Sequence, residues 1–176
     1  GTNAFTTLED GIGGNTAMTF TEVASTVDTL ALSDVAANTN AVSVERAADT
    51  SADSIAVTAR GNDHTTLTLD NEETITVDSS VDATVITTLN AAHLTTLNVT
   101  GDEDLTIGTL AGNVNLATIN ASSSTGAVSV GATANASVVS MTVTAGSGGL
   151  TADGGSAADT MTGGAGVDSF DGNNGN

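Results

Sequence analysis

Cysteine, proline, tryptophan, tyrosine and lysine are all absent from this chain of 176 residues, and Arg46 and Arg60 are its only basic residues besides two histidines. Against them stand 21 acidic residues, for a formal charge of -19. Such a balance opposes contact with phosphate backbones and anionic membranes, so no nucleic acid partner is expected. No run approaches the roughly 18 consecutive apolar residues of a membrane helix, so no membrane insertion is expected either, and no signal peptide opens the chain. Lack of cysteine removes the disulfide staple without arguing against an extracellular address. Three phenylalanines are the only aromatic residues, which fits a narrow interior holding aliphatic and small side chains. His64 follows Gly61-Asn62-Asp63 in an expected turn that faces solvent, and His93 precedes a strand. Neither sits in a serine-triad or zinc motif, so no catalytic residue is assigned and the chain is not expected to be an enzyme.

An acidic chain can be disordered, but disorder goes with low hydrophobicity. Here 39% of residues are hydrophobic and β-branched Val, Ile and Thr abound, which favours a folded β structure. Apolar pairs at alternating positions recur as Ile55/Val57, Ile75/Val77, Leu97/Val99, Ile119/Ala121 and Met141/Val143, at intervals of 20 and then 22 residues, with Leu30/Leu32 as an earlier member. Between them lie second short segments: Val42/Val44, Leu67/Leu69, a poorer one at Val85, Leu105/Ile107, Val128/Val130 and Leu150/Ala152. Period-two alternation is strand chemistry, and two strands per repeat separated by Gly, Asn, Asp or Ser turns predict an all-β fold, a parallel β-solenoid with 20–22-residue coils. Leu97, Ile119 and Met141 are expected to form one apolar column, and Asn98 and Asn120 an amide ladder.

Three segments follow from this pattern: an opening stretch, 1–40; a Thr/Ala/Val-rich solenoid, 41–153; and a glycine-rich end, 154–176. In the first, Val23, Val27 and Leu30 have helical spacing, so a short helix competes with strand, and Gly11 to Gly14 offers a further glycine turn as a metal candidate. Residues 105–152 carry no charged side chain, which fits a surface that packs against neighbours.

The glycine-rich end carries the chemistry. Gly163-Gly164-Ala165-Gly166-Val167-Asp168-Ser169-Phe170-Asp171 fits the nonapeptide G-G-x-G-x-D-x-U-x of calcium-binding β-helix repeats. Gly154 to Thr162 matches as well, with Ala157 in place of the third glycine, and Gly172 begins a third copy that stops before its aspartate. Glycines permit φ > 0 and tight curling, and the aspartate adds charge to a ring of oxygens that suits hard Ca2+. Turns eighteen residues apart stack on one edge, so 154–159 pairs with the turn at 172, and 163–168 pairs back with 145–150. The candidate metal residues are Asp153, Gly155, Ala157, Asp159, Gly164, Gly166, Asp168 and Asp171. Asp102-Glu103-Asp104 and Asp70, Glu72 and Glu73 have enough oxygens to hold calcium too, although surface turns are commonly acidic because Asp favours turns and charge favours water.

These nonapeptides resemble those of the RTX family of secreted bacterial proteins, a resemblance that covers Gly154 to Asn176. It implies an RTX β-roll at the end of the solenoid, Ca2+ as the bound ion, folding outside the calcium-poor cytoplasm and export through a type I secretion channel. The composition, together with segments such as Leu94-Thr95-Thr96-Leu97-Asn98-Val99-Thr100-Gly101, resembles the RTX-bearing surface-layer (S-layer) proteins of Gram-negative bacteria. That likeness implies a structural segment at the bacterial cell surface that self-associates into a lattice, with cell-surface polysaccharide met through another region. The alternative is an RTX adhesin stalk or the calcium-folded carrier domain of a type I-secreted enzyme. Parallel β-helices also house polysaccharide lyases and hydrolases, but those usually display the basic or aromatic groups that are scarce here.

Overall fold

The structure is a computed structural model, and it describes residues 6–9, 17–32, 41–61, 63–131 and 137–175. Among the described residues there is no helix. The strands are β1 (Thr7–Glu9), β2 (Met18–Val23), β3 (Thr29–Ala31), β4 (Ala41–Arg46), β5 (Ser54–Arg60), β6 (Asp63–Thr68), β7 (Thr74–Asp82), β8 (Thr84–Asn90), β9 (Thr96–Gly101), β10 (Leu105–Ala111), β11 (Thr118–Ser124), β12 (Val128–Val130), β13 (Thr142–Thr144), β14 (Leu150–Asp153), β15 (Thr160–Thr162) and β16 (Ser169–Asp171). Odd-numbered strands form one 8-stranded sheet in chain order and even-numbered strands form the other. Every pairing is parallel. The chain therefore alternates between two sheets and climbs one strand spacing, about 4.8 Å, per coil. This is the β-solenoid that the two-segment repeat predicts.

Register follows the apolar alternation. Ile55, Ile75, Leu97, Ile119, Val143 and Met161 are successive partners in the odd sheet. In the even sheet His64, Ile86 and Ile107 continue into Val130, Ala152 and Phe170. Their inward faces meet in one aliphatic core, with Leu30, Leu67, Ile75, Ile86, Leu97 and Ile119 all fully buried. The core stays narrow because each coil contributes only about two inward positions per strand, which is why so few aromatic side chains are needed.

The structure corrects several expectations. Ile119 pairs with Val143 rather than Met141, because the chain takes 24 residues to return at this point instead of 22. Met141 is still buried, at the end of the preceding turn, where its N–H donates to Asp159 Oδ1 at 2.8 Å. Leu30 pairs with Val57, and the Leu32 N–H donates to the Thr58 carbonyl, so this repeat is longer than the Leu30-to-Ile55 interval implied. Asn98 and Asn120 are register partners, but Asn98 Nδ2 donates to Thr76 Oγ1 and Asn120 Oδ1 accepts from the Ser122 N–H, so no amide ladder joins them. The stretch with helical spacing is strand: Val23 ends β2 and Leu30 lies in β3, with Val27 buried in the turn between them. His64 lies within β6 at 1% exposure, beside Ile86, because period two turns it inward rather than out to solvent. The Gly11 to Gly14 turn lies outside the described residues.

Candidate calcium-binding turns

Two edges of the solenoid carry the turns. On the edge where even strands hand over to odd ones lie the turns at 24–28, 47–53, 69–73, 91–95, 112–117, 154–159 and 172–175. The opposite edge carries those at 102–104, 125–127, 145–149 and 163–168. The eighteen-residue spacing places the glycine turns in direct contact. Asn173 Nδ2 donates to the Gly154 carbonyl at 2.7 Å, and the Gly154 N–H donates to the Asp171 carbonyl at 2.6 Å, so 172–175 sits on 154–159. Across the molecule, 163–168 sits on 145–150, with the Leu150 N–H donating to Asp168 Oδ1 at 2.9 Å.

Each nonapeptide aspartate does two jobs. Asp168 Oδ2 accepts the Gly164 N–H at 2.8 Å, closing its own turn, while Oδ1 ties the coil 18 residues earlier. Asp159 repeats this: Oδ2 accepts from Gly155 at 3.0 Å and Oδ1 from Met141 at 2.8 Å. A carboxylate offers about four lone-pair sites, so each oxygen keeps acceptor capacity beyond its one N–H bond.

The glycines serve a different need from the one their usual role suggests. Among the described glycines, positive φ occurs at Gly61, Gly101, Gly112, Gly131 and Gly149 and at none of those in the nonapeptides, while Glu22 and Asn173 also adopt it. Space is what these glycines supply. A methyl group built on Gly164 would run into the Gly146 carbonyl oxygen, and one on Gly155 into the Ser137 carbonyl oxygen. Close approach of backbone to backbone lets the coils shrink to 18 residues without losing their stacking.

The candidate residues divide between the edges. Asp153, Gly155, Ala157, Asp159 and Asp171 lie on one, and Gly164, Gly166 and Asp168 on the other. Asp153 and Asp171 are register partners in β14 and β16. Burial, and then the Asp171 carboxylate, push Asp153 above the ordinary carboxylate value of 3.8. Asp153 and Asp171 thus put two carboxylates in adjacent coils on one edge, and the candidate side chains offer oxygen alone, the donor type that a hard cation such as Ca2+ takes.

The other acidic turns are bound into the coil stack. Asp104 Oδ1 accepts the Ala127 N–H at 2.9 Å and Asp70 Oδ1 the Ala92 N–H at 3.3 Å, each reaching one coil onward. Glu72 departs most from expectation, since it is a buried ion-pair partner and not a surface acid. Its two oxygens accept from Arg46 Nε at 2.6 Å and Nη2 at 3.0 Å, with both side chains 1% exposed. Arg46 also donates to the carbonyls of Ala24, Val27 and Ser54. The missed signal is periodic. Glu72, Leu94 and Leu116 follow one another at 22 residues, and each donates its N–H to the carbonyl three residues earlier. Glu72 thus fills a corner position that is leucine in the next two coils, and the core needs a cation to accept it. Comparison with protein-family models, curated proteins and solved structures found no match.

Proposed function

We propose that the chain is a structural, calcium-rigidified segment of a secreted bacterial surface-layer protein that associates into a cell-surface lattice. The observation that carries this reading is a pair of nonapeptide turns, one on each edge, each closed by an aspartate that also holds the coil 18 residues before it. Calcium, when bound, neutralises the carboxylates at the turn corners. The chain's own contribution is to place those oxygens on two edges of a rigid rod and to leave no side chain between the coils.

Association is supported by the outer faces. Thr74, Thr96, Thr118, Thr142 and Thr160 are successive register partners, giving one column of β-branched hydroxyls along the odd sheet. From 105 to 152 nothing charged interrupts the surface, so two rods can approach without desolvating ions.

Circular dichroism in EDTA and then in excess Ca2+, followed by electron microscopy of the calcium form, tests the proposal. Ordered two-dimensional sheets that appear with calcium are the expected result, and at ~100 times Kd the ion adds about 2.7 kcal/mol, raising Tm by roughly 5–10 °C. Unchanged melting with calcium defeats the calcium reading. Calcium-stabilised monomers that never form sheets favour the adhesin-stalk or carrier-domain alternative.

A further inference from the structure

A second cluster of candidate metal ligands lies on the edge that carries the turns at 154–159 and 172–175, several coils before them. Asp49, Glu73 and His93 come from the turns of three successive coils, at 47–53, 69–73 and 91–95. Asp49 Oδ2 lies 3.5 Å from His93 Nδ1, reaching across the coil that carries Glu73. One ligand atom from each residue lies within 4.8 Å of the others. The three line a surface hollow of about 480 Å³, with Thr50, Ser51, Thr95 and Asn115 completing its wall.

We propose that Asp49, Glu73 and His93 bind one divalent transition-metal ion of the Zn2+ type, which ties three consecutive coils together. Ligand chemistry separates this site from the calcium turns. An imidazole nitrogen suits Zn2+, Cu2+ or Ni2+, whereas calcium takes oxygen alone. The geometry needs modest adjustment: ligand atoms ~2.0–2.2 Å from a tetrahedral zinc lie about 3.3–3.6 Å apart, a separation that Asp49 and His93 already have at 3.5 Å. His93 and Asp49 are 47% and 43% exposed, so rotation of their side chains closes the remaining gap without moving the coils. Glu73 is already oriented, because its Oε2 accepts the Asp53 N–H at 2.7 Å, the sort of outer contact that fixes a metal-binding carboxylate. Three protein ligands leave a position for water, the arrangement of an accessible rather than a closed zinc site.

Calorimetric titration of the full chain with ZnCl2 in saturating calcium tests the assignment independently of the calcium reading. One Zn2+ per chain is expected, retained in calcium, with His93→Ala at least tenfold weaker and its circular dichroism unaltered because the ring is exposed. Glu73→Gln should weaken binding as well, and its loss of affinity must appear with the β signal intact. The chain has only two histidines, so ring resonances report the ligand directly: zinc should perturb His93 and spare the buried His64. No zinc binding, displacement by calcium, an isotherm unchanged in His93→Ala, or perturbation centred on His64 overturns the proposal.

Discussion

Gly164 illustrates how a single atom limits this architecture. Its missing Cβ is the space through which the Gly146 carbonyl approaches, while Gly172 has nothing within 4 Å of where a Cβ would lie. Gly164→Ala should therefore destabilise the fold by about 1–3 kcal/mol, as overpacking does, and Gly172→Ala should leave it nearly unchanged. Urea melts of the two variants check this, and equal effects would mean that helical or turn propensity, not clearance, explains the glycines. Asp153 gives a second residue-scale prediction. Its folded-state pKa is raised, first by burial and then by Asp171, so between 3.8 and that higher value the folded chain holds the proton more tightly than the unfolded chain does. Its contribution to stability is fully present below 3.8 and is lost as pH rises through the raised pKa. In EDTA at neutral pH, Asp153→Asn should accordingly melt slightly higher than the native chain, on the order of 1–2 °C. The difference should vanish at acid pH, and added calcium should stabilise the variant less than the native protein.

At the scale of the turn, the buried Arg46–Glu72 pair is the exception to a leucine column. Removing one member leaves the other charged and buried, so Glu72→Ala or Arg46→Ala should cost roughly 3–5 kcal/mol. The double replacement Arg46→Met with Glu72→Leu restores the residue type that Leu94 and Leu116 supply, and should recover most of that loss in thermal melts. A double variant as unstable as either single one would show that the carbonyls of Ala24, Val27 and Ser54 need the guanidinium for themselves. The strands of the middle repeats were legible in the sequence because Ile75, Leu97 and Ile119 keep an unbroken 22-residue interval. The next step was not legible. Met141 and Val143 both alternate correctly, and only the bond from Met141 to Asp159 shows that Met141 belongs to the corner and Val143 to the column. His64 was misplaced for a related reason: Gly61-Asn62-Asp63 reads as a turn, yet β6 begins at Asp63 and period two then turns the next side chain inward.

For the whole molecule, stability is distributed along one dimension, since strand pairing joins each coil to its immediate neighbours. Strands β7 and β9 have partners on both sides over five or more residues, whereas β15 and β16 are three residues long and each has one neighbour in its sheet among the described strands. Hydrogen exchange in EDTA should therefore be slowest at Val77 and Leu97 and fast at Met161 and Phe170. Calcium should slow the latter pair at least tenfold and change the former little. Uniform slowing along the rod would place the ions throughout the solenoid instead of at its glycine-rich end.

Spacing along the chain is enough to read the two-strand repeat, the parallel solenoid and the 18-residue stacking of the glycine turns, because a side-chain period of two and a fixed coil length are local properties. The tertiary structure alone decided which residues of different coils meet at an edge. Arg46 reaches Glu72 across 26 positions, and Asp49 reaches His93 across 44, because long side chains on a corner extend over neighbouring coils in directions that spacing along the chain does not fix.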